Sequence, residues 1–336
     1  MVKRWIGIGM MFAIVGLFGC NDETAKEQLL EEQVMQLEQE LETLKKQVAY
    51  YEEQQEIPEE IQPHRINLID PNTSTVVKTL ELKDFSYETD IETYIDEIET
   101  LAKELARGTE TEKGYDQRMV LDRLGENGQV MKGRPMVILK ESQLVEDILS
   151  ASSTGGNIEL PLEVRDSGYS EEDLQSLHEV VIGSYTTYFN AGDTGRSKNI
   201  ELSAKAIHNT IVGNLDYFSF NVMVGPRTEE TGYQPAPEII NAKRVMGIGG
   251  GICQTSSTLF NAIDQVPVTF VERHHHSLNV GYVPKGRDAT VAYDSLDFRF
   301  QNTSGVPLLI TTIYGKGYLT IEIRTSNEYE ILLDAL

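Results

Sequence analysis

Residues 247–259 read Gly247-Ile248-Gly249-Gly250-Gly251-Ile252-Cys253-Gln254-Thr255-Ser256-Ser257-Thr258-Leu259, and some twenty residues on the chain reads Arg273-His274-His275-His276-Ser277. Three glycines before a run with Leu259, Phe260 and Ile263 at helical spacing predict a tight turn opening a helix. A thiol in the first turn of that helix sits where the peptide dipoles favour negative charge, which lowers a thiol pKa. The glycines let backbone approach a substrate, and the N–H groups of Gly250, Gly251 and Cys253 can face an oxyanion. Cys253 is therefore the expected nucleophile, and the histidine run supplies the general base. In a strand, residues 274 and 276 share one face and 275 points away. His276 is the first candidate for the base, His274 the second, and His275 is expected to meet solvent. Asp288, Asp294 and Asp297 are candidates to orient the imidazole. Arg273 or Arg287 could hold a substrate carboxylate through a bidentate contact, with Ser277 beside them.

Two other readings compete. A lone cysteine is often a small buried hydrophobe. Alternatively, His274, His276, Cys253 and an aspartate could bind zinc, although no HExxH or paired CxxC spacing occurs. No metal or cofactor is expected.

The N-terminus explains why only one thiol is left for chemistry. Lys3 and Arg4 precede the mostly apolar run Trp5 to Phe18, which is short for a membrane span, and the run ends Leu17-Phe18-Gly19-Cys20. This is a lipobox, so residues 1–20 are expected to be an export signal and Cys20 the site of lipidation. The expected location is the extracytoplasmic face of a Gram-positive-type cell membrane, with the membrane held through the lipid on Cys20. The chain has two cysteines, so with Cys20 lipidated Cys253 has no partner for an intrachain disulfide. Fifty-three acidic against 29 basic residues give a formal net charge of −24. That balance argues against nucleic acid and against lying flat on anionic lipid, but not against cell-wall peptides.

Residues 21–60 read as an acidic stalk. Leu30, Val34, Leu37, Leu41, Leu44, Val48 and Tyr51 step by four and three, a heptad seam. Three heptads reach about 30 Å, and such a coiled coil could pair two copies of the chain. Pro58 and Pro63 end the helix. Residues 65–180 read as a small α+β domain: strands at 65–70, 130–131 and 158–164, the last with Pro161 inside at a sheet edge, and helices at 91–106 and 142–149. Residues 181–325 read as a β-rich α+β domain. A helix is expected through Ile200, Ala204, Ile207 and Ile211, with Ser197 as N-cap and Gly213-Asn214 as its stop. Strands are expected at 218–221, 268–271, 289–293, 296–300, 308–314 and 319–324.

This last region resembles the VanW family. The matching residues include Asn199-Ile200, Phe218-Ser219-Phe220-Asn221, Val224-Gly225-Pro226-Arg227-Thr228, Gly247 through Gln254, Glu272-Arg273, His276-Ser277, Tyr282-Val283-Pro284, Gly286 through Val291 and Leu296-Asp297-Phe298. The preceding region is weakly similar to the peptidoglycan-binding-like repeat that often stands ahead of this domain; a plain spacer is the other reading. The resemblance extends to the overall plan of export signal, preceding domain and then this module, within a chain read as α+β throughout. It also implies an L,D-transpeptidase that joins peptidoglycan stem peptides through a Cys253 thioester, and it makes Asp288 the preferred partner of the base. His275 departs from the common pattern. A non-catalytic wall-binding or scaffold lipoprotein is the second class of function, and a zinc hydrolase the third.

Overall fold

The computed structural model describes residues 23–54, 65–240, 243–293 and 295–334. Cys20, the expected signal peptide, Pro58, Pro63 and Asp294 lie outside them. The chain divides into two units, residues 1–63 and 64–336.

In the first unit, a single helix, α1 (Glu23–Gln54), covers the heptad stretch. Leu30, Val34, Leu37, Leu41, Leu44 and Val48 are 49 to 65% exposed along it. Its stability as a lone helix therefore rests on propensity, not on packing.

The second unit begins with β1 (Arg65–Ile69), β2 (Val76–Glu81), α2 (Ile91–Arg107), β3 (Arg123–Leu124), β4 (Val130–Met131), β5 (Met136–Leu139), α3 (Glu141–Ala151), β6 (Gly156–Glu159) and β7 (Leu162–Arg165). It continues with β8 (Val180–Tyr188), α4 (Thr194–Ile207), β9 (Thr210–Val212), β10 (Tyr217–Ser219), α5 (Phe220–Val224), β11 (Pro235–Ile240), β12 (Lys243–Ile248) and α6 (Ile252–Ile263). Last come β13 (Thr269–Glu272), β14 (Arg299–Gln301), β15 (Leu308–Gly315), β16 (Tyr318–Thr325) and α7 (Asn327–Asp334). The architecture is α+β.

A first core gathers Ile66, Leu68, Leu80, Tyr94, Ile98, Leu101, Leu144 and Ile148. Its sheet runs β2-β1-β6, antiparallel and then parallel. Helix α2 joins this core because Tyr94, Ile98, Leu101 and Ala102 recur at helical spacing, and Asp90 caps its start by accepting from the N–H groups of Glu92 and Thr93. The single strand expected at 158–164 is two strands, which pair in different sheets. Pro161 separates them because it has no N–H for a ladder.

A second core surrounds α6, with Phe218, Phe260, Phe298, Phe300, Leu308, Ile310, Leu319 and Ile321. Its six-stranded sheet runs β4-β3-β9-β15-β16-β8. The division expected at 180/181 is crossed by this sheet: β3 pairs with β9, and Met119 and Leu121 lie in the second core. Helix α4 is capped by Asp193, not Ser197. It ends before Ile211, which is in β9, because Asn209 takes a left-handed φ of 58°. Phe220 and Asn221 open the short α5 instead of extending β10. Residues 289–293 form only isolated bridges, Thr290 to His274 and Ala292 to Leu296.

Asp216 is 1% exposed and accepts from the N–H groups of Gly168 and Gly213. Burial still raises its carboxyl from 3.8 to about 6. A raised carboxyl stabilises the fold fully below its unfolded value and loses that contribution as pH rises through the folded one. The stability of the wild-type chain relative to Asp216→Asn is expected to fall between about pH 4 and pH 6 and to level off above, as read by urea unfolding across pH. A difference independent of pH would contradict this.

Candidate functional site

The glycine run is shaped by what crowds it. Gly249 and Gly251 have φ of 100° and 113°, a region open mainly to glycine. A Cβ on Gly250 would lie 2.5 Å from the Ala236 carbonyl oxygen, one on Gly249 3.3 Å from Cβ of Arg227, and one on Gly251 2.9 Å from Cγ of Arg196. Two arginine stems thus flank the turn that opens α6. Asn199 fixes the turn by donating from Nδ2 to the carbonyls of Gly250 (3.0 Å) and Gln234 (2.9 Å). Among the described residues, none accepts from the N–H groups of Gly250, Gly251 or Cys253, as the first turn of a helix leaves its donors free.

Helix α6 is buried along nearly its whole length, including Gln254, Thr255, Ser256, Ser257, Thr258 and Asn261. Each of these polar groups has a partner. Thr255 meets Ser203 at 2.7 Å, Thr258 meets Thr187 at 2.8 Å, and Gln254 accepts from Arg196 at 2.8 Å. The other polar face grips residues 287–291. Asn261 Nδ2 donates to the Arg287 carbonyl (2.8 Å), the Ala289 N–H donates to Ser257 Oγ (2.9 Å), and Ser256 Oγ donates to the Ala289 carbonyl (2.6 Å). Cys253 Sγ donates to the Val291 carbonyl at 3.4 Å. Four residues of helix span about 6 Å and two of extended chain about 6.6 Å. Residues 253, 257 and 261 therefore match 291, 289 and 287 rung for rung. This is why 289–293 do not pair as a strand.

Asp288 lies between two rungs. Its Oδ2 accepts from the His276 backbone N–H (2.7 Å) and bonds Nδ1 of His276 (2.8 Å), while its Oδ1 bonds Nδ1 of His275 (3.0 Å). Burial works to raise the Asp288 carboxyl, but the His276 N–H and the two imidazoles outweigh it and hold it below the usual carboxylate value. The His276 side chain is 7% exposed, against 46% for His275. Nε2 of His276 has no hydrogen-bond partner among the described residues.

The expected sharing of one face by His274 and His276 does not occur. Strand β13 stops at Glu272, so strand alternation does not extend to the histidines. His274 turns to Glu272, Nε2 to Oε1 3.0 Å. His275, expected only to meet solvent, is exposed and also bonds Asp288. Asp297 is committed to the fold: it accepts from Ser219 Oγ, the N–H groups of Asn221 and Phe298, and Arg118 Nη1. Arg287 bonds Asp264 at 2.6 Å and Asn261 at 2.8 Å. Arg273 donates to the Gly286 carbonyl at 3.3 Å, and both guanidiniums lie over Phe260, at 4.0 and 4.6 Å. Ser277 is exposed.

The thiol differs from its expected state. Burial pushes the Cys253 thiol up, although the charges of Arg227 and Arg196 work the other way. The helix terminus does not outweigh desolvation in this closed arrangement. Among the described residues, no imidazole is bonded to Sγ. Tyr282 was missed as a site residue. Its hydroxyl is pushed up by burial and by the nearby Cys253 sulfur, and it also senses Ser257, Arg196 and Asp288. Arg196 lies 5.8 Å from its ring. An aromatic in the match Tyr282-Val283-Pro284 was the only signal available. Among the described residues, no three His, Cys, Asp or Glu side chains are placed to share a metal ion.

A lone thiol on a glycine-opened buried helix, with a carboxylate–imidazole pair held against that helix, defines a protein with a thiol-centred α+β domain. The chain belongs to the VanW family: the family model described as VanW like protein matches residues 195–324. The "Uncharacterized protein YoaR" of Bacillus subtilis is 40% identical over 206 residues, 61% of this chain and 68% of that protein. The vancomycin B-type resistance protein VanW of Enterococcus faecalis is 29% identical over 109 residues, 31% of this chain and 40% of that protein. No solved structure matches.

Asn261 tests the grip. Asn261→Ala leaves the Arg287 carbonyl and Nε unpaired, and is expected to cost about 1–3 kcal/mol in urea unfolding. An unchanged midpoint would show that the segment is held by other means.

Proposed function

We propose that the protein is a cell-wall-associated L,D-transpeptidase that works on peptidoglycan stem peptides through a Cys253 thioester. The observation that carries this reading is that Cys253 and His276 both bond the one short segment 287–291, Cys253 Sγ at the Val291 carbonyl and His276 at the Asp288 carboxylate three residues before it. His276 is the base: its Nδ1 is held by Asp288, which leaves Nε2 to take a proton. The thiol leaves the Val291 carbonyl by rotating about its Cα–Cβ bond and passes its proton to the imidazole. The thiolate attacks the carbonyl carbon of the third stem residue, and the oxyanion faces the free N–H groups of Gly250, Gly251 and Cys253. The bond to the terminal D-amino acid breaks, and its nitrogen takes the proton from His276. A side-chain amine of a second stem then attacks the thioester, loses a proton to His276 and releases the thiolate. Attack by water would instead make an L,D-carboxypeptidase.

A second reading is a non-catalytic peptidoglycan-binding scaffold, favoured by the raised thiol and by its bond to a carbonyl. Mass spectrometry of muropeptides incubated with the chain from residue 21 separates the two. The expected result is 3-3 linked dimers or loss of the terminal D-amino acid. Cys253→Ala abolishes both, and Asp288→Asn slows them on the order of 10²-fold or more. Binding without turnover, equal in the wild type and Cys253→Ala, would instead establish the scaffold.

In the same reading the protein is tethered to the outer face of the membrane by lipid on Cys20, and the exposed seam of α1 pairs two copies. Fractionation and light scattering test this. Cys20→Ser is expected to move the protein to the soluble fraction, and the chain from residue 21 to run at twice its monomer mass. Retention in the membrane or a monomeric mass would overturn the respective half.

A further inference from the structure

We propose that Arg227 binds the free C-terminal carboxylate of the residue that leaves the donor peptide, so that the enzyme cuts one residue from a chain end. The proposal rests on the acyl-transfer reading of the same site. Arg227 follows Pro226 in the loop after α5, and its stem packs against Gly249 in the turn that opens α6. Nη2 donates to Asn221 Oδ1 at 2.7 Å. Nε and Nη1, with three N–H bonds between them, are buried and have no acceptor among the described residues. Leaving such donors unmet in a buried cation is costly unless an anion completes the site.

The other arginines near the turn are already engaged. Arg196 donates to Gln254 and lies over Tyr282, Arg273 donates to Gly286, and Arg287 pairs with Asp264. Asp297, whose charge acts on Arg227, does not satisfy it, because that carboxylate accepts from Ser219, Asn221, Phe298 and Arg118. The rings of Tyr293 and Phe220, 5.2 and 6.0 Å from the guanidinium carbon, wall the group. Arg227 and the Cys253 sulfur are close enough to act on each other's charge.

A terminal residue needs a carboxylate site close to the reacting carbonyl. From the scissile nitrogen, the leaving residue's carboxylate carbon is only two bonds away, about 2.5 Å through space given bonds of about 1.5 Å. With the scissile carbonyl at Sγ, a neighbouring guanidinium meets the carboxylate of the last residue. A peptide one residue longer presents an amide there and leaves the cation unpaired, which is how a buried polar site rejects a near match.

Binding of Nα-acetyl-L-lysyl-D-alanine, as free acid and as C-terminal amide, to the full-length Cys253→Ala chain tests this by calorimetry. The acid is expected to bind about 10- to 100-fold more tightly than the amide, the range of a charged hydrogen-bonded contact. Adding Arg227→Gln is expected to remove the preference, and Arg227→Lys to keep part of it. Melting temperatures of both variants establish that they fold. Equal binding of acid and amide, no binding of either, or an unchanged preference in a folded Arg227→Gln chain would overturn the proposal. If the acid binds as expected but the wild type turns over no stem peptide, the carboxylate site stands and the acyl-transfer reading falls.

Discussion

The grip of α6 on residues 287–291 is the constraint from which the candidate site follows. A helix and an extended segment have no common backbone ladder, yet here they meet at three matched levels, because four helical residues and two extended ones cover nearly the same length. Ser257 and Asn261 supply the donors and acceptors that a neighbouring strand would otherwise provide. The register also fixes the chemistry. Odd-numbered residues of the segment face the helix, so Asp288 is left to face the histidines. A slip of one residue would bring Asp288 onto the buried helix and turn Ala289 toward His276.

Charge in this region is sorted by how many partners each group already has. Asp297 accepts from four groups, one of them the N–H of its own neighbour Phe298, and so ties Arg118 to Ser219 and the start of α5. Glu272 binds His274 and the Asp297 N–H, and Arg299 lies 3.5 Å from it. Burial works to raise its carboxyl, but these partners together hold it low. Three acidic groups close in sequence and composition thus do different work, and only Asp288 meets the buried imidazole.

Much of this was legible in the residues. The helix at 252–263 follows from the glycine stop and the spacing of Leu259, Phe260 and Ile263, and α2, β15 and β16 follow from periodicity alone. What failed were features set by distant contacts. Ile211 continues the helical spacing of α4, but Asn209 turns the chain and β15 recruits Ile211 into a sheet. Residues 289–293 alternate like a strand, but helical side chains take their hydrogen bonds. The histidine run illustrates the same limit: strand alternation assigns His274 and His276 to one face, whereas the end of β13 lets them turn to different carboxylates. Arg227 could not be singled out from other arginines, since what distinguishes it is the absence of a partner.

The six-stranded sheet carries one more consequence. The family match spans residues 195–324, yet β9 lies between β15 and β3, and β16 between β15 and β8. Strands β3 and β8 both precede residue 195. A fragment cut to the matched span would therefore bare two rows of backbone N–H and C=O groups, one on each side of the remaining strands. Such open edges are templates for pairing with other chains. The borders of the family match are thus not borders at which this sheet can be separated, and the residues before the match serve as its edge protection.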